Sequence, residues 1–180
     1  MRRFQKTLIA LVAMLALAVS VASAGSEQGL GDASINREIR KQILTLPYYG
    51  VFDNIAYSLE GTTVRLSGQV VRPITRHDAG RRVARVKGVD RVVNDIEVLP
   101  LSNFDDSIRV RTYRAVFGTA GLSRYSIGAN PAMRIIVNKG RVTLEGVVLN
   151  KTDKQLAFMA ANGVSGVFAV TNNLRVEREN

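Results

Sequence analysis

Apolar and polar residues follow nearly the same pattern in two distant stretches of the chain. Residues 88–98 read GVDRVVNDIEV and residues 166–176 read GVFAVTNNLRV, with Gly, Val, Val, Asn and Val in register. A constant offset of 78 positions aligns residues 57–98 with 135–176 without a gap. The sequence therefore contains an internal repeat, and each of the two similar stretches is the end of one module.

Upstream of the gapless part, the second copy is longer than the first. Ile35 aligns best with Ile108, an offset of 73, so the second copy carries five extra residues. The insertion lies near LSRYSIGANPAM, residues 122–133, whose Gly, Asn and Pro indicate a loop.

The spacing of apolar residues predicts the order α-β-β-α-β within each module. Helical spacing marks two segments and alternation marks three. The fold class is therefore α+β, with two tandem modules that each have a small three-stranded sheet covered by two helices. In the first module the inward residues are Ile35, Ile39, Ile43 and Leu46, then Ile55, Tyr57 and Leu59, then Val64, Leu66 and Val70, then Ala79, Val83 and Val86, and finally Val92, Ile96 and Val98.

Turn and capping residues give the boundaries. Asp32 or Ser34 is expected to cap the first helix, and Asp105 with Asp106 is expected at the start of its counterpart. Hairpin turns are predicted at residues 60–62 and 138–140. We place the first module at residues 32–100, a short linker at 101–104 and the second module at 105–177.

The N-terminus has the layout of a secretory signal peptide. Basic residues precede the apolar run LIALVAMLALAV, and Ala22-Ser23-Ala24 offers small residues at a cleavage site. The alternative is a membrane anchor, but the run is shorter than the roughly 20 residues of a spanning helix. We predict a signal peptide at residues 1–24, cleavage after Ala24 and a periplasmic location.

Charge and cysteine content narrow the partners. The net charge of +10 falls to +7 once Arg2, Arg3 and Lys6 are removed, and the chain has no cysteine. Export without disulfides suits a bacterial periplasm, where phospholipid head groups and polyanionic sugars are the acidic partners and nucleic acid is not expected. Without cysteine there is neither a thiolate metal site nor an acylation site.

With the α-β-β-α-β order established, two motifs make the chain resemble the BON (bacterial OsmY and nodulation) domain. One is V-x-L-x-G-x-V, at residues 64–70 and 142–148, and the other is the repeated G-V-x-x-V-x-N-x-I/L-x-V ending. Two copies behind a signal peptide resemble OsmY-like periplasmic proteins. The resemblance covers residues 32–177 and implies binding without catalysis, in osmotic or other envelope stress.

The repeated Gly and Asn residues have a structural interpretation. Gly in a strand indicates a bulge or a close backbone approach, and Gly after a helix a left-handed ending. The Asn residues are expected to bond local backbone, with a ligand role as the alternative. The residues are Gly68, Gly146, Gly88, Gly166, Asn94 and Asn172.

No constellation in the sequence indicates catalysis, a metal or another cofactor. His77 is the only histidine, and its counterpart in the second copy is Gln155. A single solvated imidazole has no orienting partner and does not by itself form a metal site. We therefore predict that the protein is not an enzyme.

The two copies differ most on their helices. On the second helix, Arg81 and Arg82 of the first copy become Met159 and Ala160, while Asp78 becomes Leu156. We expect Leu156, Phe158 and Met159 either to pack against the first module or to form a docking surface for a partner.

The first helix of the second copy carries arginines and aromatic residues. Arg111 and Arg114 lie within about 60° on a helical wheel, and Tyr113 and Phe117 share a neighbouring sector. Such a surface suits anionic lipid, and some double-BON envelope proteins bind phospholipid through this helix. We predict lipid binding by Arg111, Tyr113, Arg114 and Phe117; alternatively, the aromatic residues are core and the arginines a solvated face.

The function expected from the sequence is envelope maintenance under stress through peripheral contact with anionic phospholipid. Four alternatives stay open. The protein could be a chaperone-like binder of exported or outer-membrane proteins, an assembly module that forms oligomers, a binder of acidic cell-wall glycans or an enzyme. The sequence does not define the oligomeric state, the arrangement of the modules or the membrane contacted.

The predicted signal peptide gives a first test. The exported protein should have an N-terminal Gly25 and lack the mass of residues 1–24, as measured by intact-mass spectrometry of the periplasmic fraction. A retained N-terminus that fractionates with membranes would instead favour the anchor.

Overall fold

The computed structural model describes residues 24–177, with side chains described from residue 31 onward. Apart from Ala24, the predicted signal peptide lies outside the described residues. The helices are α1 (Ala24–Leu44), α2 (Pro73–Val83), α3 (Asn103–Gly118) and α4 (Lys151–Asn162), and a short 3₁₀ helix spans Ser123–Ser126. The strands are β1 (Asn54–Glu60), β2 (Thr63–Val70), β3 (Arg91–Asn94), β4 (Glu97–Val98), β5 (Met133–Asn138), β6 (Arg141–Val148), β7 (Ala169–Asn172) and β8 (Arg175–Val176). Over residues 24–177, no helix is both long and apolar enough to span a membrane.

The predicted fold class is confirmed: the chain forms two α+β modules. In the first sheet β1 pairs antiparallel with the central strand β2, and β3 and β4 pair parallel with β2. The second sheet repeats this topology with β5 to β8. Each third strand that the sequence predicted is thus two short strands, separated by two residues.

The strand glycines allow the first two strands of each module to approach closely. Gly68 has φ +112°, and a Cβ on it would lie 2.2 Å from the carbonyl oxygen of Asn54. Gly146 repeats the geometry, with φ +120° and 2.1 Å to the carbonyl oxygen of Ala132. A side chain at either position would collide with backbone, so the predicted close approach is confirmed.

The repeated asparagines hold the second helix of each module to the broken strand. Asn94 Nδ2 donates to the carbonyl of Arg76 (2.9 Å), and its Oδ1 accepts from the amide of Ile96 (3.3 Å). Asn172 makes the same two bonds, to Lys154 and Leu174, at the same distances. The expectation that these residues bond local backbone is confirmed.

Each module has its own hydrophobic core, and α1 contributes Ile39 and Ile43 to the first. The start of α1 differs from the prediction because the helix begins at Ala24 rather than at a cap on Asp32 or Ser34. The hydroxyl of Ser34 donates to the carbonyl of Gly31 inside the helix and is therefore not a cap.

The two modules are joined along one strand edge. The amide of Ile135 in β5 donates to the carbonyl of Val51 (2.8 Å), in the loop between α1 and β1. Arg134 donates to the carbonyl of Gly50 (2.6 Å) and stacks over the Tyr49 ring at 4.5 Å. All residues of β5 up to Val137 are buried, so both faces of this strand are covered, and the bond to Val51 covers its outer edge.

Phe52 extends this junction to helix α3. Its ring contacts Tyr113 edge-on at a centroid distance of 6.2 Å, and Val51 and Phe52 pack against the core of the second module. The first module therefore supplies part of the hydrophobic cover of the second.

This junction can be tested with Phe52→Ala, which removes the half-buried ring from the second core. We expect a loss of about 2 kcal/mol in the free energy of unfolding, below the range for a fully buried Phe. The exposed Ile127 of the other α–β loop provides the control, because Ile127→Ala should change stability by no more than about 0.5 kcal/mol. Equal losses in urea denaturation would contradict the junction.

Candidate functional site

Helix α3 begins with a capped first turn whose acidic residues have separate roles. Ser102 is the N-cap and its side chain accepts the amide of Asp105 at 3.2 Å, so the cap lies three residues before the predicted Asp pair. The Asp105 carboxylate is buried and accepts the backbone amides of Lys139 and Gly140, each at 2.8 Å. Asp105 thus ties the start of α3 to the β5–β6 turn.

The β5–β6 turn has an unusual backbone. Lys139 and Gly140 have φ +51° and +71°, the paired positive angles of a tight hairpin turn. A non-glycine residue rarely adopts this conformation, and the two bonds that the turn donates to Asp105 stabilise it here. The turn places the exposed Lys139 at the tip of the hairpin.

Two exposed phenylalanines lie beside this turn. Phe104 is 46% exposed, Phe168 is 71% exposed, and their ring centroids are 5.9 Å apart. Phe168 donates its amide to the carbonyl of Gly140 (2.8 Å), where a Cβ would lie 2.6 Å from the Phe168 ring. Gly140 therefore makes room for the aromatic pair.

One cationic side chain lies beside the pair, and two more cations flank the glycine of the turn. A Cβ on Gly166 would be 3.3 Å from Arg111 Nη2 and 3.5 Å from the Phe104 ring, which places Arg111 beside Phe104. Lys139 and Arg141 flank Gly140 in sequence, and both are exposed. Among the described residues, none of these three cations has a carboxylate within ion-pairing distance. We call Phe104, Arg111, Lys139, Arg141 and Phe168 the aromatic–basic patch.

The patch is specific to the second module. The aligned residues of the first module are Gly31, Glu38, Gly61, Thr63 and Asp90. Two aromatic side chains and three cations thus replace two acidic and three small or polar residues on the same framework. Phe104 falls in the predicted linker, so no helical pattern singles it out. Phe168 is paired with Asp90 by the repeat alignment, and this change of an acidic residue to an aromatic one is the signal that could have found it.

The structure separates the four residues predicted to bind lipid. Arg111 and Arg114 are both exposed, and Arg111 lies beside Phe104. Tyr113 is 37% exposed and lies between Phe52 and Phe117, and Phe117 is only 7% exposed within the second core. The aromatic part of the predicted surface therefore faces the junction between modules, and Phe104 and Phe168 are the exposed aromatics beside Arg111.

The second predicted surface lies on α4, whose main packing is within its own module. The elements that α4 packs against are α3, β6, β7 and β8, all of the second module. Leu156 packs against the second core, Phe158 is half-buried and Met159 is 52% exposed. The first module docks on the β5 edge. A partner surface around Met159 stays a prediction.

A cleft of about 340 Å³ lies between the modules, lined by Tyr48, Gly50, Phe52, Asp53, Val71, Arg72, Asp106, Arg109 and Val110. Burial raises the pKa of Asp53, although its carboxylate accepts the amides of Val71 (2.7 Å) and Gly50 (2.9 Å), which oppose the increase. Buried Arg109 pairs with Asp106 and donates to the carbonyl of Val137 (2.8 Å). Asp53, Asp106 and Arg109 thus bond to other groups of the protein. We therefore interpret the cleft as part of the contact between the modules and not as a ligand site.

Comparison with known proteins agrees with this architecture. The family model described as BON domain matches residues 31–100 and 122–178, well over half of the chain. The chain therefore belongs to the BON domain family. This domain is a non-catalytic binding domain, and proteins that carry it are typically periplasmic. The predicted module boundaries stay predictions, since the second match begins after α3.

Matches to individual proteins are weaker. Among curated proteins, none matches the sequence significantly. One solved structure is the C-terminal domain of CdsD, a structural protein of the type III secretion system of Chlamydia trachomatis, with 10% identity, TM-score 0.34 and coverage of 79% of this chain and 96% of that chain. A second structure of CdsD has 9% identity, TM-score 0.30 and coverage of 78% and 91%. The family assignment rests on the sequence match.

The bond between Asp105 and the hairpin turn predicts a specific loss of stability. Asp105→Asn replaces one acceptor oxygen by an NH2 group. This group is itself a donor and cannot accept the backbone N–H that faces it. We expect a cost of about 1–3 kcal/mol and faster hydrogen exchange at Lys139 and Gly140. In the control Asp95→Asn, an exposed ion pair with Arg65 is lost, which should cost about 1 kcal/mol or less. Unchanged exchange at the turn would contradict this role of Asp105.

Proposed function

We propose that the protein is a non-catalytic envelope protein that binds anionic phospholipid peripherally through the aromatic–basic patch. The observation that carries the proposal is the exposed pair Phe104–Phe168 among three cations without ion-pair partners. We further propose that this contact supports envelope integrity under stress, in line with the resemblance to OsmY-like proteins.

The chemistry of the patch fits a membrane interface. Aromatic rings enter the boundary between head groups and acyl chains, and each partly exposed Phe could contribute about 1–2 kcal/mol. Basic side chains near an anionic surface contribute about 1 kcal/mol each at moderate salt. Arg114, which is exposed and follows Arg111 by three residues in α3, adds a further cation.

The rigidity of the patch also supports the proposal. Asp105 holds the hairpin turn against α3, and the Phe168 amide is bonded to Gly140. The rings and the Lys139 backbone are therefore positioned before contact, so little conformational entropy is lost on binding.

Because the protein is basic overall, a test has to separate the patch from general attraction. The exported form, its N-terminus checked by mass, would be sedimented with neutral and anionic vesicles at low and moderate salt. We expect binding only to anionic vesicles, weakened at least about tenfold by Arg111→Glu/Arg114→Glu through charge reversal. Phe104→Ala/Phe168→Ala should weaken it by a similar factor without changing the charge.

The matched control is Arg37→Glu/Arg40→Glu on the exposed face of α1. It makes the same charge change, and neither arginine has an ion-pair partner among the described residues. Arg81 and Arg82 are less suitable, since Arg81 pairs with Asp78 and Arg82 donates to the carbonyl of Thr45. If both charge reversals weakened vesicle binding equally, the binding would reflect the overall positive charge of the protein and not a specific site.

A chaperone-like function is the alternative and would use the surface around Met159. Its weakness is that Leu156 and Phe158 are partly covered within their own module, which leaves Met159 as the exposed member of the three. Absence of sedimentation by the wild-type protein would reject lipid binding and make this surface the next to examine.

A further inference from the structure

The two sheets differ at their outer edges. The β5 edge is covered by the first module through the bond from Ile135 to Val51. Tyr57 is the equivalent of Ile135, with the same register opposite β2 as Ile135 has opposite β6. Its N–H therefore points away from β2. The carbonyl of Val51 accepts the N–H of Ile135, but among residues 24–177 no backbone carbonyl accepts the N–H of Tyr57 in this way.

One end of the β1 edge is closed. The next outward amide toward the N-terminus, that of Ile55, donates to the hydroxyl of Tyr49 at 3.1 Å. Outward backbone groups alternate along an antiparallel edge strand, so Tyr57 and Leu59 carry the open donors and acceptors.

The open edge lacks the usual protection against pairing. Edge strands are commonly blocked by Lys, Pro, bulges or inward charges. In β1 the exposed side chains are Ala56, Ser58 and Glu60, of which two are small and uncharged, and the seven-residue strand runs without a break opposite β2.

We propose that β1 pairs antiparallel with β1 of a second copy about a two-fold axis at Ser58. Tyr57 then exchanges both backbone bonds with Leu59 of the second copy, and the symmetry repeats this pair. Ala56 lies opposite Glu60 of the second copy, and the two Ser58 residues face each other, so no like charges are opposed.

A second copy fits this edge better than an unrelated peptide for two reasons. First, the edge is self-complementary: two copies of β1 can pair with Tyr57 of each opposite Leu59 of the other. This register leaves the bond from Ile55 to Tyr49 intact. A two-fold contact also closes on itself, giving a dimer with one continuous sheet rather than an open fibre.

The register can be tested by cross-linking, because the chain has no cysteine. Two residues opposite each other at a non-hydrogen-bonded position have Cα atoms about 4.5 Å apart, which a disulfide can span. Under mild oxidation, Ser58→Cys should give a covalent dimer in the exported form of the protein. Ala56→Cys, on the same exposed face, should not, because the two copies of residue 56 would be about 13 Å apart.

Equilibrium measurements provide the second test. Sedimentation velocity should show a dimer that increases with wild-type concentration. Ser58→Glu should weaken it at least tenfold, because two carboxylates would face each other, while in the monomer the new Glu faces Arg65 and should be tolerated. Ser58→Thr keeps the pairing and should dimerise like the wild type.

Three results would overturn the proposal. These are a wild-type monomer at all concentrations with no Ser58→Cys cross-link, cross-linking of Ala56→Cys at least as efficient as that of Ser58→Cys, and a dimer insensitive to Ser58→Glu. Co-purification of another polypeptide that Ser58→Glu displaces from a monomeric protein would assign the edge to a different partner. Lipid binding is measured separately with the patch variants, so the two proposals succeed or fail independently.

Discussion

The hydrogen bond between the Ile135 amide and the Val51 carbonyl decides much of the remaining structure. It closes the edge of one sheet with a loop of the other module and thereby fixes how the two modules meet. The contact brings Phe52 onto Tyr113, so this side of α3 is covered. The opposite side of the helix, with Arg111 and Phe104, stays open. The same asymmetry leaves the edge of β1, the equivalent of β5, without such a cover among the described residues.

Duplication kept the residues that build the fold and released the others. Gly68 and Gly146 permit the same close approach of two strands, and Asn94 and Asn172 make the same bonds at the same distances. Substitution at these positions is restricted. At the glycines, backbone atoms leave no room for a side chain, and at the asparagines, backbone groups need the side chain as a hydrogen-bond partner. Positions around the turns lack this constraint, and there Asp90 of one copy corresponds to Phe168 of the other.

The fold was predictable from the sequence because each element buries one face, and burial imposes a period on the residues. The candidate site was predictable only in part. Arg111 and Arg114 could be found because helical spacing places them together. Tyr113 and Phe117 were grouped with them since a helical wheel does not reveal which side another module covers. Phe104 and Phe168 are far apart in sequence and meet only through the turn held by Asp105, so no local pattern joins them.

The covered edge of β5 also bears on the history of the chain. Val51 and Phe52 complete the second core from outside it, so the second half has become dependent on its neighbour. A gene encoding that half alone would produce a protein with a bare strand and an unfilled gap. Recombination would therefore be expected to move the two modules together as one unit.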